Sequence, residues 1–88
     1  GTIENAYSIL NGEYEIIEAE IIETSELVNK ELKNSNLPDE IRIGAVLRGE
    51  EVIIPRSNFV FKKEDIVVLL ANKDFLHVVE NMFRISSI

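Results

Sequence analysis

The stretch from Leu37 to Leu70, LPDEIRIGAVLRGEEVIIPRSNFVFKKEDIVVLL, decides the fold. Ile41, Ile43, Ala45 and Leu47 alternate with Arg42, Gly44, Val46 and Arg48, the period-two rhythm of a strand with one face on a core. Gly49-Glu50-Glu51 turns that strand into Val52-Ile53-Ile54, which makes a hairpin. Pro55 has no N–H to give to a ladder, so the second strand ends there or lies at a sheet edge. A loop through Arg56 to Asn58 leads to Phe59-Val60-Phe61, and Lys62-Lys63-Glu64-Asp65 forms the next turn. It delivers Ile66 to Ala71, which is apolar on both faces and reads as a central strand.

Working outward, residues 1–12 read as a linker or tag-derived segment with a short strand around Ser8 to Leu10, closed by the turn signal Asn11-Gly12. Residues 13–88 read as one domain. Tyr14 and Ile16 share one strand face, while Ile17, Ala19 and Ile21 share the other; the adjacent Ile16-Ile17 pair suggests a bulge or bend. Thr24-Ser25 supplies a helix N-cap with Glu26 in the first turn, and Leu27, Val28 and Leu32 form its apolar stripe. A second helix is capped by Asp74, with Phe75, Leu76, Val79, Met82 and Phe83 on one side. The expected fold is α+β, two-layer and mainly antiparallel, in the order β-α-β-β-β-β-α.

Composition narrows the function. The 88 residues are 45% hydrophobic and carry a net charge of −7. That charge disfavours non-specific nucleic-acid binding, which needs clustered Lys and Arg, and attraction to an anionic membrane surface. No apolar run approaches the ~20 residues that span a bilayer. With no cysteine, disulfides, thiolate zinc sites and Cys nucleophiles are excluded. The four glycines are too dispersed for a phosphate-cradling loop. His77 has no neighbouring nucleophile to activate, and Ser57 lies in no nucleophile elbow, so the chain reads as non-enzymatic.

The charged side chains leave a short list of candidates. Glu18 and Glu20 project from one strand face, about 7 Å apart given the rise per residue, as half of a hard-cation site or as a solvated face. Asp65, at the head of a central strand, is placed to accept backbone N–H groups of its turn. Arg48 is placed either to bond turn carbonyls or a carboxylate such as Asp65, or to meet an anionic ligand. A small domain with an apolar edge gains by burying that edge against a second copy, so a homodimer is expected.

The run EIIEAEI, SELVNKEL, Leu37-Pro38, IRIGAVLR, VIIP, EDIVVLL and VVENMF resembles, in order and spacing, the C-terminal domain of the regulator of potassium conductance (RCK) family, also called the TrkA C-terminal domain. The likeness covers residues 13 to 85. Two turns differ: this chain has Asn29-Lys30 and Glu64-Asp65 where the family often has Gly-Lys and Gly-Asp. The resemblance implies a cytosolic, non-catalytic regulatory domain, peripheral to the inner face of the membrane, that pairs as a homodimer. It also implies a membrane-embedded potassium transporter as partner, with an anion or amino-acid antiporter as the alternative, and a separate N-terminal Rossmann domain for NAD or ATP. In relatives the dimer crevice holds small ligands, including cyclic di-AMP; by position, Ile53, Ile54 and Pro55 would line it and Arg48 would stand near.

Overall fold

A computed structural model describes residues 3–83. Five strands form a single antiparallel sheet: β1 (Ile3–Ile9), β2 (Tyr14–Glu20), β3 (Ile41–Arg48), β4 (Glu51–Ile53) and β5 (Ile66–Asn72). Their spatial order is β1-β2-β5-β3-β4, which puts the apolar β5 in the centre and β1 and β4 at the edges. One helix, α1 (Leu76–Phe83), follows β5. Its Val79, Met82 and Phe83 are buried against Ile17, Ala19, Ile41, Val46, Val67, Leu69 and Ala71 of the sheet. The architecture is thus a two-layer α+β fold.

Segment 1–12 contributes more than a linker. The short strand expected at Ser8 to Leu10 is the seven-residue β1, paired from Ile3↔Ala19 to Ile9↔Tyr14, and a 3₁₀ turn at Leu10–Gly12 closes the hairpin. The bulge expected at Ile16-Ile17 is absent from the unbroken β2–β5 register. Bulges occur instead in β1, between Ile3 and Asn5, and in β3, between Ile43 and Ala45. The β3 bulge changes which residues meet the core. Up to Ile43 the odd positions face it, and beyond Gly44 the even ones do, so Val46 is fully buried opposite Val67. Ala45 and Leu47 are left half-buried on the other face.

The helix expected after Thr24-Ser25 does not form. Ser25 does cap a turn, its hydroxyl oxygen accepting from the Leu27 N–H (3.2 Å), but Asn29 then enters the left-handed region at φ 64° and ends it. The reason lies in competing partners for the backbone. Asn29 N–H donates to Phe61 O, Phe61 N–H to Lys30 O and Leu32 N–H to Phe59 O, so residues 29–32 pair with 59–61 as an extended ribbon. Only the 3₁₀ turn Leu32–Asn34 retains helical character, and the segment Phe59-Val60-Phe61, expected as a full strand, is reduced to one bridge, Val60 to Glu31. The cap of the C-terminal helix also moves: Asn72 Oδ1 accepts from the Asp74 N–H (2.9 Å), so Asn72, not Asp74, caps it.

Candidate functional site

The β3–β4 hairpin brings the candidate ligand residues to one corner of the sheet. Its register pairs Val46 with Ile53, Leu47 with Val52 and Arg48 with Glu51. Alternation along β4 turns Ile53 inward onto the core and leaves Val52 (67% exposed) and the following Ile54 (72%) open to solvent. Pro55 is half-buried and ends the strand where its missing N–H would break a ladder. Ile53, Ile54 and Pro55 thus lie along or just beyond the β4 edge of the sheet, whereas Arg48, across from Glu51 at the turn end of the hairpin, directs its guanidinium to Asp65 and Val60. Large aliphatic side chains on such an edge are the raw material for pairing or for holding a flat apolar ligand.

Arg48 at this corner is anchored from below. Its Nε donates to Asp65 Oδ1 (2.8 Å) and its Nη2 to Asp65 Oδ2 (2.7 Å), a bidentate fork on a carboxylate that is 1% exposed. Nη2 also donates to Val60 O (3.0 Å), and the guanidinium lies 4.9 Å from the centroid of the Phe59 ring. Phe59 in turn meets Phe61 edge-to-face at 5.3 Å. Asp65 Oδ2 accepts one further bond, from the Lys62 N–H (2.8 Å), which closes the turn. The Asp65 hydrogen bonds raise the Arg48 pKa above its ordinary value, burial works against them, and the charges of Asp65 and Glu51 add to the rise. The clamp ties three segments together: the end of β3, the 59–61 ribbon and the start of β5.

The other candidates are dispersed. Glu18 and Glu20 stand on the uncovered face of the sheet, across from Val68 and Ile66, whereas Asp65 is buried under Arg48. Among the described residues no group of three or more His, Cys, Asp or Glu side chains gathers as a cation site. His77 is exposed on α1 in a cleft with Lys30, Ser35, Asn36 and Asn81, where the Ser35 hydroxyl donates to Leu32 O (2.6 Å). An apolar hollow of about 390 Å³ lies on the uncovered sheet face, lined by Ile9, Ile16, Arg42, Gly44, Val68 and Leu70. Sequence reasoning missed it because the β3 bulge creates it, and the one available signal was Gly44 within an otherwise apolar strand.

The TrkA-C domain family model matches residues 16–84. The chain is 43% identical over 86 residues, 98% of its length, to the Trk system potassium uptake protein TrkA of Azorhizobium caulinodans, of which it covers 19%. It is 36% identical over 93% of its length to the TrkA protein of Vibrio alginolyticus, again covering 19%. A TrkA homolog of Archaeoglobus fulgidus is 36% identical over 73% of this chain, which covers 15% of that protein. The chain thus spans about a fifth or less of the length of these curated relatives. In fold it is similar to a solved RCK domain with cda, at a TM-score of 0.63 and 17% identity, covering 77% of this chain and 96% of the other. Among the described residues no helix is long and apolar enough to cross a membrane. With the family matched from β2 to the end of α1, and relatives well above 30% identity across nearly its whole length, this protein belongs to the TrkA-C domain family.

Proposed function

We propose that this domain is a non-catalytic regulatory module of a Trk-type potassium uptake system, cytoplasmic and peripheral to the membrane, which pairs as a homodimer and transmits ligand state to a membrane-embedded transporter subunit. The observation that carries the reading is the 43% identity to a TrkA protein over 98% of the chain. The exposed Val52 and Ile54 on the β4 edge add a physical motive for pairing, since two copies bury that edge against each other.

Regulation in this scheme needs a ligand that favours one arrangement of the two subunits over another, because equal affinity for both shifts nothing. The ligand of this scheme is a small nucleotide of the cyclic di-AMP kind, held between the two copies near Ile53, Ile54 and Pro55 with Arg48 close by. NAD or ATP binding is assigned to a separate nucleotide-binding domain.

Sedimentation of the purified chain tests the pairing, and thermal shift with cyclic dinucleotides tests the ligand. The expected result is a dimer that Ile54→Glu dissociates, together with a raised melting temperature on adding the nucleotide. A stable monomer at high micromolar concentration overturns the pairing.

A further inference from the structure

The uncovered face of the sheet presents Ile16, Leu70, Val68, Ile66 and Leu47 side by side, with Tyr7 and Val52 at its margins. A strand face this apolar would ordinarily be covered. Three charged side chains interrupt it: Arg42 on β3, and Glu18 and Glu20 on β2, none with an ion-pair or hydrogen-bond partner among the described residues. Their placement is specific. Arg42 pairs across from Leu70, one strand to one side of β5, while Glu18 and Glu20 pair across from Val68 and Ile66, one strand to the other side.

With strands ~4.8 Å apart and ~6.8 Å between alternate residues, the midpoints of Arg42–Glu18 and Arg42–Glu20 both fall on β5 near Val68. A two-fold axis parallel to the sheet plane and about 5 Å above the uncovered face, passing over β5 there at about 45° to the strands, exchanges the arginine with the pair of glutamates. That axis stacks two sheets face to face with their strands crossing at about 90°, one of the two preferred packings of sheets. The charges are therefore self-complementary under a symmetry that sheet packing already favours.

We infer that the uncovered face binds a second copy of this chain, with Arg42 of each copy seated between Glu18 and Glu20 of the other. This contact is separate from the β4-edge pairing proposed above and does not depend on it. Four strands by about 20 Å give a face on the order of 400 Å² in projection, about half of a standard partner's share. The association is accordingly weak and reversible, and the charges set its orientation.

Charge reversal tests it by sedimentation equilibrium of the 88-residue chain, in the wild-type and Ile54→Glu backgrounds. Arg42→Glu alone, and Glu18→Lys/Glu20→Lys alone, should each weaken self-association roughly tenfold, because each places like charges opposite one another. An equimolar mixture of the two should restore it, because both ion pairs re-form in the heterodimer. Unchanged association of the single-type variants, or a mixture that stays apart, overturns the inference. If Ile54→Glu alone abolishes all association, this contact is refuted and the edge pairing stands. If the charge variants alone abolish it, the edge pairing fails and this one holds.

Discussion

Asp65 and Arg48, seventeen residues apart in sequence, face each other across the β3–β5 pair with both carboxylate oxygens engaged. The asymmetry of the pair matters: Asp65 is sealed in the core, while the Arg48 side chain is 38% exposed. Removing Asp65 strands a half-buried guanidinium and orphans the Lys62 N–H at once. Removing Arg48 leaves a buried carboxylate that keeps only the backbone bond.

Asp65→Ala and Arg48→Ala should each cost about 2–3 kcal/mol, below the 3–5 typical of a fully buried pair because solvent screens the arginine. The double variant should cost less than the sum of the two. Urea unfolding of all four proteins measures the coupling; strict additivity would show that the contact contributes nothing to stability. If ligand binding disappears while the Arg48→Ala midpoint is unchanged, the arginine serves the ligand and not the fold.

Glu64 and Asn29 occupy left-handed backbone, at φ 75° and 64°. These are the two turn positions where the sequence departs from the glycines frequent in its family. A Cβ in that region costs about 1–2 kcal/mol for most residues and less for Asn, against roughly 0.5–1 of unfolded-state entropy for Gly. Glu64→Gly should therefore stabilise by about 0.5–1 kcal/mol, raising the melting temperature of a domain this size by several degrees, with Asn29→Gly giving a smaller gain. A loss of stability at Glu64 would mean that its side chain has a role the backbone argument omits.

What was legible in the sequence follows from how local each determinant is. The β3–β4 hairpin, the central β5, the amphipathic α1 and the Arg48–Asp65 contact all rest on alternation, turn residues and short-range register, and all are present. The region 24–36 was misread because its helix-forming signals are real but outcompeted: Phe59 and Phe61 take the backbone partners that a helix would need. No reading of residues 24–36 alone reveals a ribbon partner thirty residues away. The Asn72 cap was missed for a smaller reason, since two capping residues lie two apart and only tertiary placement chooses between them.

Gly44 and Gly49 differ in what their hydrogens protect. Gly49 turns the hairpin at φ 61°, so Gly49→Ala should cost about 1 kcal/mol through strain alone. Gly44 is not in that region, and a Cβ there would meet only Val68 O at 3.6 Å, an ordinary contact. Gly44→Ala should be neutral or stabilising by up to about 0.5 kcal/mol, by restricting the unfolded chain. Melting curves of the two variants check this, and equal losses would contradict the bulge geometry.

The bulge makes one further claim that truncation can test. Simple alternation from Ile41 puts Leu47 in the core and Val46 outside; the observed register buries Val46 completely and leaves Leu47 on the uncovered face. Val46→Ala should then cost roughly 2 kcal/mol, because a close-packed site opposite Val67 cannot collapse around the missing methyls. Leu47→Ala removes a larger group but from a half-wet surface, so its cost should stay near ~1 kcal/mol by area lost from water. The smaller side chain is thus expected to matter more. Denaturant midpoints in the reverse order would mean that β3 runs without its bulge, and the hollow between Ile16, Arg42 and Val68 would then lose its floor.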